Sequence, residues 1–266
     1  MKKLLFTLII AITAVTQAAA YDFEVDGIYY NKNGTNATVT FRDNNYNSYS
    51  GEVIIPSTVL HDGVSYVVNA IGQNAFRDCD SLTSVVIHPD MTSIGGYAFS
   101  GCASLDGVVL PAGLTSIGGD AFSGCTSLSG IVIPDGVTKI NDYTFNDCTG
   151  LTSVVLPQNA TSIGYNAFNG CTSLATAAIP AGVTSIGGYA FRNCSSLEGV
   201  TIPAGVTSLY SSQFQGCSGL TWLEWNALNC PDNGSMPTAN IQRVTIGDGV
   251  TVLPGDFARD SKITEI

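Results

Sequence analysis

The chain is poor in charge, and most of its charge is negative. Only 12% of its 266 residues are charged, with 10 basic against 21 acidic side chains and two histidines. Binding of phosphate groups needs clustered Lys and Arg, so this scarcity argues against nucleic acid or an anionic membrane surface as a partner. With so few charges, the surface must consist mainly of Ser, Thr, Asn and Gly.

Long hydrophobic runs are also lacking. The apolar stretch at residues 4–15 is shorter than the roughly 18 residues that a membrane span needs. It follows Lys2 and Lys3 and precedes three alanines, a pattern typical of a signal peptide over residues 1–20. Its removal leaves 8 basic residues against 21 acidic ones, a net charge of −13. We therefore predict an exported chain, secreted or at the cell surface and not embedded in the membrane.

Residues that carry chemistry are few and scattered. His61 and His88 have no Cys or Ser at the spacing of a nucleophilic site, and no G-x-S-x-G motif is present. Zinc needs clustered ligands, which two isolated histidines do not provide. Residues 43–47 (DNNYN) resemble the start of a calcium loop but lack its later Gly and Glu. We predict no enzyme activity, no cofactor and no bound metal.

A 23-residue repeat fills most of the chain. The stretch TSIGGYAF occurs at residues 92–99 and again at 184–191. Seven cysteines follow one another at steps of 23, each with a Phe three residues before it and a Leu three residues after it. The cysteines are Cys79, Cys102, Cys125, Cys148, Cys171, Cys194 and Cys217. A fixed period through seven registers indicates a stacked repeat array.

One repeat, residues 194–216, shows what each turn contributes. Val200 and Ile202 alternate with Thr201, which predicts a short strand with two residues facing inward and Thr201 facing outward. Pro203 ends that strand because it supplies no donor to a sheet. The segment returning to the next Cys is short and contains Gly, so a turn or two of α- or 3₁₀-helix is the most it allows.

The cysteines are expected to be free. Eight cysteines in an exported chain would suggest disulfides. Side chains at equivalent positions of stacked turns point the same way, however, which does not provide the roughly 90° torsion of a disulfide. We predict a buried column of free thiols. Cys230 lies outside the column and is the candidate for a bond, with Cys217 as its most plausible partner.

The two ends depart from the repeat. Residues 21–71 are predicted to form an N-terminal cap with strands at 37–41 and 53–55 and a β-hairpin that turns at Asp62-Gly63. Ile71 is predicted to occupy the position in its turn that Ile117 occupies in a later repeat. Tandem repeats cover 72–220. Residues 221–266 are predicted to form a degenerate repeat and an incomplete terminal one, with Phe257 in line with the earlier phenylalanines. We expect an open end there, left by truncation or covered by a partner.

The repeat unit L-x-x-[VI]-x-[IL]-P-x-x-[VL]-x-x-I-x-x-x-A-F-x-x-C resembles the BspA-type leucine-rich repeat. The resemblance is close over residues 79–216 and looser over 51–78 and 217–266. It implies an α/β-type repeat solenoid, mostly strand and coil. The implied form is a right-handed superhelix with short parallel strands on the concave face and turns, 3₁₀ or short helical segments on the convex face. It also implies a secreted or surface protein of a host-associated microbe with a role in adhesion.

The outward strand positions form a column that begins with four valines. Two interpretations stay open: β-branched residues suit a strand wherever it lies, and contiguous exposed apolar residues often mark a binding site. The candidate ligand is a protein or a cell surface, with self-association at the C-terminal end as the alternative; a glycan would stack on the two tryptophans. The candidate binding face consists of Val86, Val109, Val132, Val155, Thr201, Trp222, Glu224 and Trp225.

Overall fold

The structure is a computed structural model that describes residues 20–209, 212–228, 230 and 240–251. Turns and coil connect the strands, and the described residues contain no α- or 3₁₀-helix. In chain order the strands are β1 (Phe23–Val25), β2 (Ile28–Asn33), β3 (Asn36–Thr40), β4 (Gly51–Ile54), β5 (Thr58–His61), β6 (Val64–Ile71), β7 (Leu82–Val86), β8 (Ser93–Ile94), β9 (Gly107–Val108), β10 (Ser116–Ile117), β11 (Gly130–Val132), β12 (Lys139–Ile140), β13 (Ser153–Val155), β14 (Ser162–Ile163), β15 (Ser185–Ile186), β16 (Gly199–Ile202), β17 (Ser208–Leu209), β18 (Trp222–Trp225) and β19 (Arg243–Ile246).

A first series of strands uses the segments that the sequence predicted as strands. It consists of β4–β7–β9, β11–β13 and β16–β18–β19, all paired in parallel between adjacent turns. Isolated bridges through Thr176 link β13 to β16. The register follows the repeat, since Ile131 pairs with Val154 one period later. The chain is therefore a β-solenoid whose turns stack in register.

A second series lies where the sequence analysis expected only a turn. The T-S-I segments and their equivalents form two-residue strands, which continue from Ile71 at the end of the longer β6. They pair in parallel as β6–β8–β10 and β12–β14–β15–β17. Their Ile side chains are buried, for example Ile94 and Ile117, each 2% exposed. Each repeat thus has two strand sides rather than one.

The third side of each repeat is a turn, which is one of the forms expected there, and the described residues contain no 3₁₀ or short helical segment. Phe99 N donates to Ala121 O of the next turn at 2.7 Å, and equivalent bonds recur along the stack. Two positions in each repeat have positive φ, as at Tyr97 (57°) and Gly101 (76°). Because left-handed residues interrupt an α-helix of L-residues, this backbone cannot form the helical segments.

The phenylalanines form a continuous stack through the interior, as predicted. The rings of Phe122 and Phe145 have centroids 5.5 Å apart and planes 6° from parallel. Phe145 and Phe168 are similarly placed, at 5.4 Å and 9°. All three are fully buried. Equivalent side chains of successive turns therefore share one core, which no single repeat could form.

The cysteines form a buried column of free thiols, also as predicted. From Cys102 to Cys217, each thiol of the column donates to the carbonyl of a Phe in the preceding repeat, for example Cys125 Sγ to Phe99 O at 3.1 Å. Burial raises the pKa of the Cys148 thiol to about 12. The predicted bond between Cys217 and Cys230 is wrong. Cys217 forms no disulfide, because it keeps its place in the column and donates to the Phe191 carbonyl at 2.9 Å.

At the N-terminal end, additional strands extend the second series. The antiparallel strands β1–β2–β3 join it where β3 pairs in parallel with β6. The predicted hairpin is present as β5–β6, and Asp62 and Gly63 at its turn both have positive φ, as a two-residue type I′ turn requires. Ile71 pairs with Ile94, which pairs with Ile117, as their common phase predicted. The expectations for the signal peptide, Phe257 and the chain end concern residues outside the described ranges, apart from residue 20.

Candidate functional site

The first strand series carries a row of exposed apolar side chains. We define the valine stripe as Ile54, Val86, Val109, Val132 and Val155. Their exposed fractions range from 47% at Val86 to 83% at Val109. Alternation places them outward because the residues on either side of them in the strands face the core. Register then brings them into line, with Ile54 beside Val86 and Val132 beside Val155.

A column of small residues lies next to the valine stripe. Gly107 and Gly130 occupy it in two turns, with Ser84 before them and Ser153 after. A Cβ added at Gly107 would meet nothing within 4 Å, so the surface there is open. The absence of side chains leaves a groove of about 600 Å³ beside Val86 and Val109. Asp106 is an exposed carboxylate at its edge.

Beyond Val155 the stripe becomes polar. Ala178 is exposed, and Thr201 and Glu224 follow at the equivalent outward positions. Thr201 Oγ1 donates to Glu224 Oε2 at 2.9 Å, so these two side chains satisfy each other. The valines are therefore confined to four consecutive turns, although the strands continue.

The two tryptophans of the candidate face have different positions. Trp222 is half-buried, and its indole lies over Gly199, where an added Cβ would fall 1.8 Å from the ring. The prediction that Trp225 is on the exposed face is wrong: it is 1% exposed. It pairs with the buried Ile202, so the alternation that turns Thr201 outward turns Trp225 inward. A paired tryptophan platform for a glycan is therefore not present.

Sequence reasoning missed both ends of this surface. Ile54 heads the stripe and Glu52 heads the neighbouring small-residue column, because Glu52 pairs with Ser84. At the other end Thr245 and Arg243 occupy the same two columns. The signal for Ile54 was visible in the stretch VIIP at residues 53–56, whose second residue stands two places before a Pro, as Val109, Val132 and Val155 do.

A second surface feature, also missed, is a row of tyrosines at the turns. Tyr143 and Tyr165 have ring centroids 5.5 Å apart, and Tyr165 and Tyr189 are 5.6 Å apart, both in edge-to-face geometry. The Arg192 guanidinium lies 5.2 Å from the centre of the Tyr189 ring. Each ring packs largely against its neighbours in the row, and Tyr165 is 39% exposed. The row therefore does not form a flat, open aromatic surface.

The described residues hold no group of three or more His, Cys, Asp or Glu side chains placed to bind a metal. Asp43, in the loop with a partial calcium pattern, accepts from its neighbours Arg42 Nε and Asn45 N at 3.0 Å each. His61 stacks on Phe23 with centroids 4.4 Å apart. Within the described ranges, no helix has the length and apolar character needed to cross a membrane.

Comparison with known proteins agrees with the repeat. The sequence model of the BspA type leucine rich repeat region matches residues 69–197 and 142–265, with six copies. No curated protein matches the chain in sequence.

Solved structures also resemble it. The leucine-rich repeat protein of T. pallidum has 25% identity and a TM-score of 0.53, with 92% of this chain and 98% of that one covered. A leucine-rich repeat protein from Bacteroides ovatus has 24% identity and a TM-score of 0.47, with 92% and 82% covered. A leucine rich cell surface protein from Faecalibacterium prausnitzii has 20% identity and a TM-score of 0.35, with 77% and 94% covered.

Proposed function

Because the chain belongs to the BspA-type leucine-rich repeat family, we propose that it is a secreted or surface-exposed repeat protein that binds a protein or a cell surface without catalysis. The binding face is the first strand series, which the family resemblance implies to be concave. The single observation that carries the proposal is the exposure of the valine stripe, up to 83% at Val109. Single exposed apolar residues are ordinary, but a contiguous row of them marks an interaction site.

Strand propensity alone does not account for this row. The same outward position holds Thr201 and Glu224 in later turns, where β16 and β18 pair through four residues. In the intervening turn it holds Ala178, beside isolated bridges at Thr176. Pairing therefore does not require valine. The adjacent glycines also cannot be explained by strand propensity, because Gly weakens a strand. Their lack of side chains opens a groove in which a partner's side chains can lie against Val86 and Val109.

Export is proposed from the N-terminal signal pattern. Adhesion is proposed from the family resemblance, because the residues themselves do not identify a ligand. The acidic balance, 21 Asp and Glu against 10 Lys and Arg, favours partners that are apolar with basic groups at the rim.

The test replaces Val109, Val132 and Val155 with Lys. A partner that binds over the stripe would have to remove water from three charged Lys side chains, or would be held away by them. We therefore expect binding to cultured host or bacterial cells to fall at least about tenfold. The melting temperature should change little, since these side chains face solvent and surface substitutions cost about 0.5 kcal/mol or less each. Binding is measured with fluorescently labelled protein in a flow cytometer.

A matched control adds the same charge elsewhere. Ala112, Gln158 and Ala181 are exposed residues of the turns that follow the first-series strands, and all three become Lys. This variant should bind as the wild type does. If the stripe variant retains full binding, or both variants lose it equally, the stripe is not the binding face.

Self-association through the C-terminal end is the second candidate. It rests on the repeat pattern of residues 221–266, most of which lie outside the described ranges. Sedimentation velocity over a hundredfold concentration range separates the two functions, because a monomer at every concentration excludes assembly through that end.

A further inference from the structure

A cavity of about 450 Å³ lies at the N-terminal end of the valine stripe. The turn between β1 and β2, the segment before β4, and β4 itself form its walls. Ile54, the first residue of the stripe, is one of the lining residues. The cavity and the stripe are therefore one continuous surface, and a partner lying along the stripe would reach the cavity.

The walls combine apolar side chains with two carboxylates. Val25, Val53 and Pro56 contribute the apolar part. Asp26 and Glu52 also line the cavity, and both are exposed. Neither carboxylate forms an ion pair or a side-chain hydrogen bond with another described residue, and the lining contains no Lys, Arg or His. The site therefore has negative charge that nothing in the described protein neutralises.

Tyr30, one of the residues that line the cavity, carries a buried hydroxyl without a partner. Tyr30 is 0% exposed, and its hydroxyl makes no hydrogen bond. The neighbouring Tyr49 differs, because its hydroxyl donates to Thr40 O and accepts from Tyr29 N. Burial, and after it the charge of Asp26, raises the pKa of the Tyr30 hydroxyl, so the phenol stays protonated. Buried polar groups in folded proteins almost always have a partner, so the Tyr30 hydroxyl has an unused capacity for a hydrogen bond.

We propose that this cavity receives a basic side chain of the bound protein, Lys or Arg, while the partner's apolar residues lie along the valine stripe. The inference rests on the proposed function and specifies the partner's chemistry. The aliphatic stem of the side chain packs against Val53 and Pro56. Its charged head lies between Asp26 and Glu52 and donates to the Tyr30 hydroxyl, which satisfies both the unpaired charges and the unpaired phenol.

The test uses small probes that need no partner protein. Butylguanidinium and butylammonium have the stem and head of the two basic side chains, and N-butylurea is the neutral counterpart of the first. Binding is followed by two-dimensional NMR at the amides of Gly27 and Val53. We expect saturable shifts with at least one cation at millimolar concentration and binding of N-butylurea about tenfold weaker or absent.

Variants assign the binding to the carboxylates. Asp26→Asn with Glu52→Gln should weaken binding of the cation about tenfold, a factor that corresponds to about 1.4 kcal/mol. Glu24→Gln with Asp80→Asn removes two exposed carboxylates that do not line the cavity, and it should leave binding unchanged. The proposal is overturned if no cation binds saturably, if N-butylurea binds equally well, or if the Asp26/Glu52 variant binds as the wild type does.

The result of the cation-binding test can be distinguished from the result of the cell-binding test of the valine stripe. The variant with Lys at positions 109, 132 and 155 retains the cavity, so it should bind the cation normally while losing cell binding. A cavity that fails to bind any cation overturns this inference and leaves the stripe as the binding face. Unchanged cell binding by the Lys variant contradicts the stripe even if the cation still binds.

Discussion

Replacing Phe145 with Ala tests how strongly the stacked interior stabilises the fold. Phe145 is 0% exposed and lies between Phe122 at 5.5 Å and Phe168 at 5.4 Å. Removing a buried ring costs about 3–5 kcal/mol through lost burial and the cavity that remains. Two nearly parallel ring pairs are lost as well, each contributing about 0.5–1.5 kcal/mol beyond burial. We therefore expect a loss near the upper end, about 5 kcal/mol.

The assay is guanidinium unfolding followed by circular dichroism, with free energies extrapolated to water. Tyr165→Ala is the matched control, since Tyr165 is also an aromatic residue within the array but is 39% exposed. It should cost about 1–3 kcal/mol, because only the two edge contacts with Tyr143 and Tyr189 are lost, each contributing about 0.5–1.5 kcal/mol. A Phe145→Ala loss below 1 kcal/mol, or one equal to that of Tyr165→Ala, would refute a core shared between turns.

Two further predictions concern buried polar groups. The free energy of unfolding should fall as pH rises from about 9 towards 11, because burial raises the pKa of Cys79 from 9.0 to about 11 and the unfolded chain loses protons that the folded one keeps. Urea unfolding at pH 8 and 10.5 measures this, and equal values at the two pH values would contradict it. Tyr30→Phe should stabilise the free protein by about 1 kcal/mol, since it removes an unsatisfied buried hydroxyl. A lower melting temperature than that of the wild type would show that this hydroxyl has a partner.

The period of 23 residues was sufficient to predict the stack. Side chains that recur at one period in a stacked array occupy equivalent places, which is why the Phe column and the free thiols were predictable. The reason for a thiol at that place was not, because the hydrogen bond from Cys125 to the Phe99 carbonyl depends on the backbone path between repeats. A small apolar residue would fill the space but leave that carbonyl without the donor.

The second strand series and the turns were less accessible to sequence reasoning. Two residues are too few to show a period-two alternation, so the T-S-I segments resembled a turn until their pairing with adjacent turns was known. Short helical segments were the most that the length and Gly content of the return segment allowed. Positive φ at residues such as Tyr97 and Tyr143 prevents them, and L-residues with bulky side chains give little indication of that conformation.

The exposure of the central residues of the candidate face was predicted correctly, but the ends of the face were not. Val109 and Val132 follow from alternation within an exact repeat. Trp225 was misplaced although alternation with Glu224 already pointed it inward, and Ile54 was missed because it precedes the first full repeat. The cavity at Tyr30 could not be predicted, because it depends on how β2 and β4 approach each other, and no local pattern encodes that distance.

The distance across the stacked turns tests the central claim most directly. Val86→Cys and Thr201→Cys introduce two attachment points on the outward column, five repeats apart, and the native cysteines are buried and react poorly with a spin label. At roughly 4.8 Å per stacked strand, electron–electron double resonance should give a single distribution near 24 Å, broadened by the label arms. A distance beyond about 40 Å, or a broad distribution without a maximum, would contradict in-register stacking.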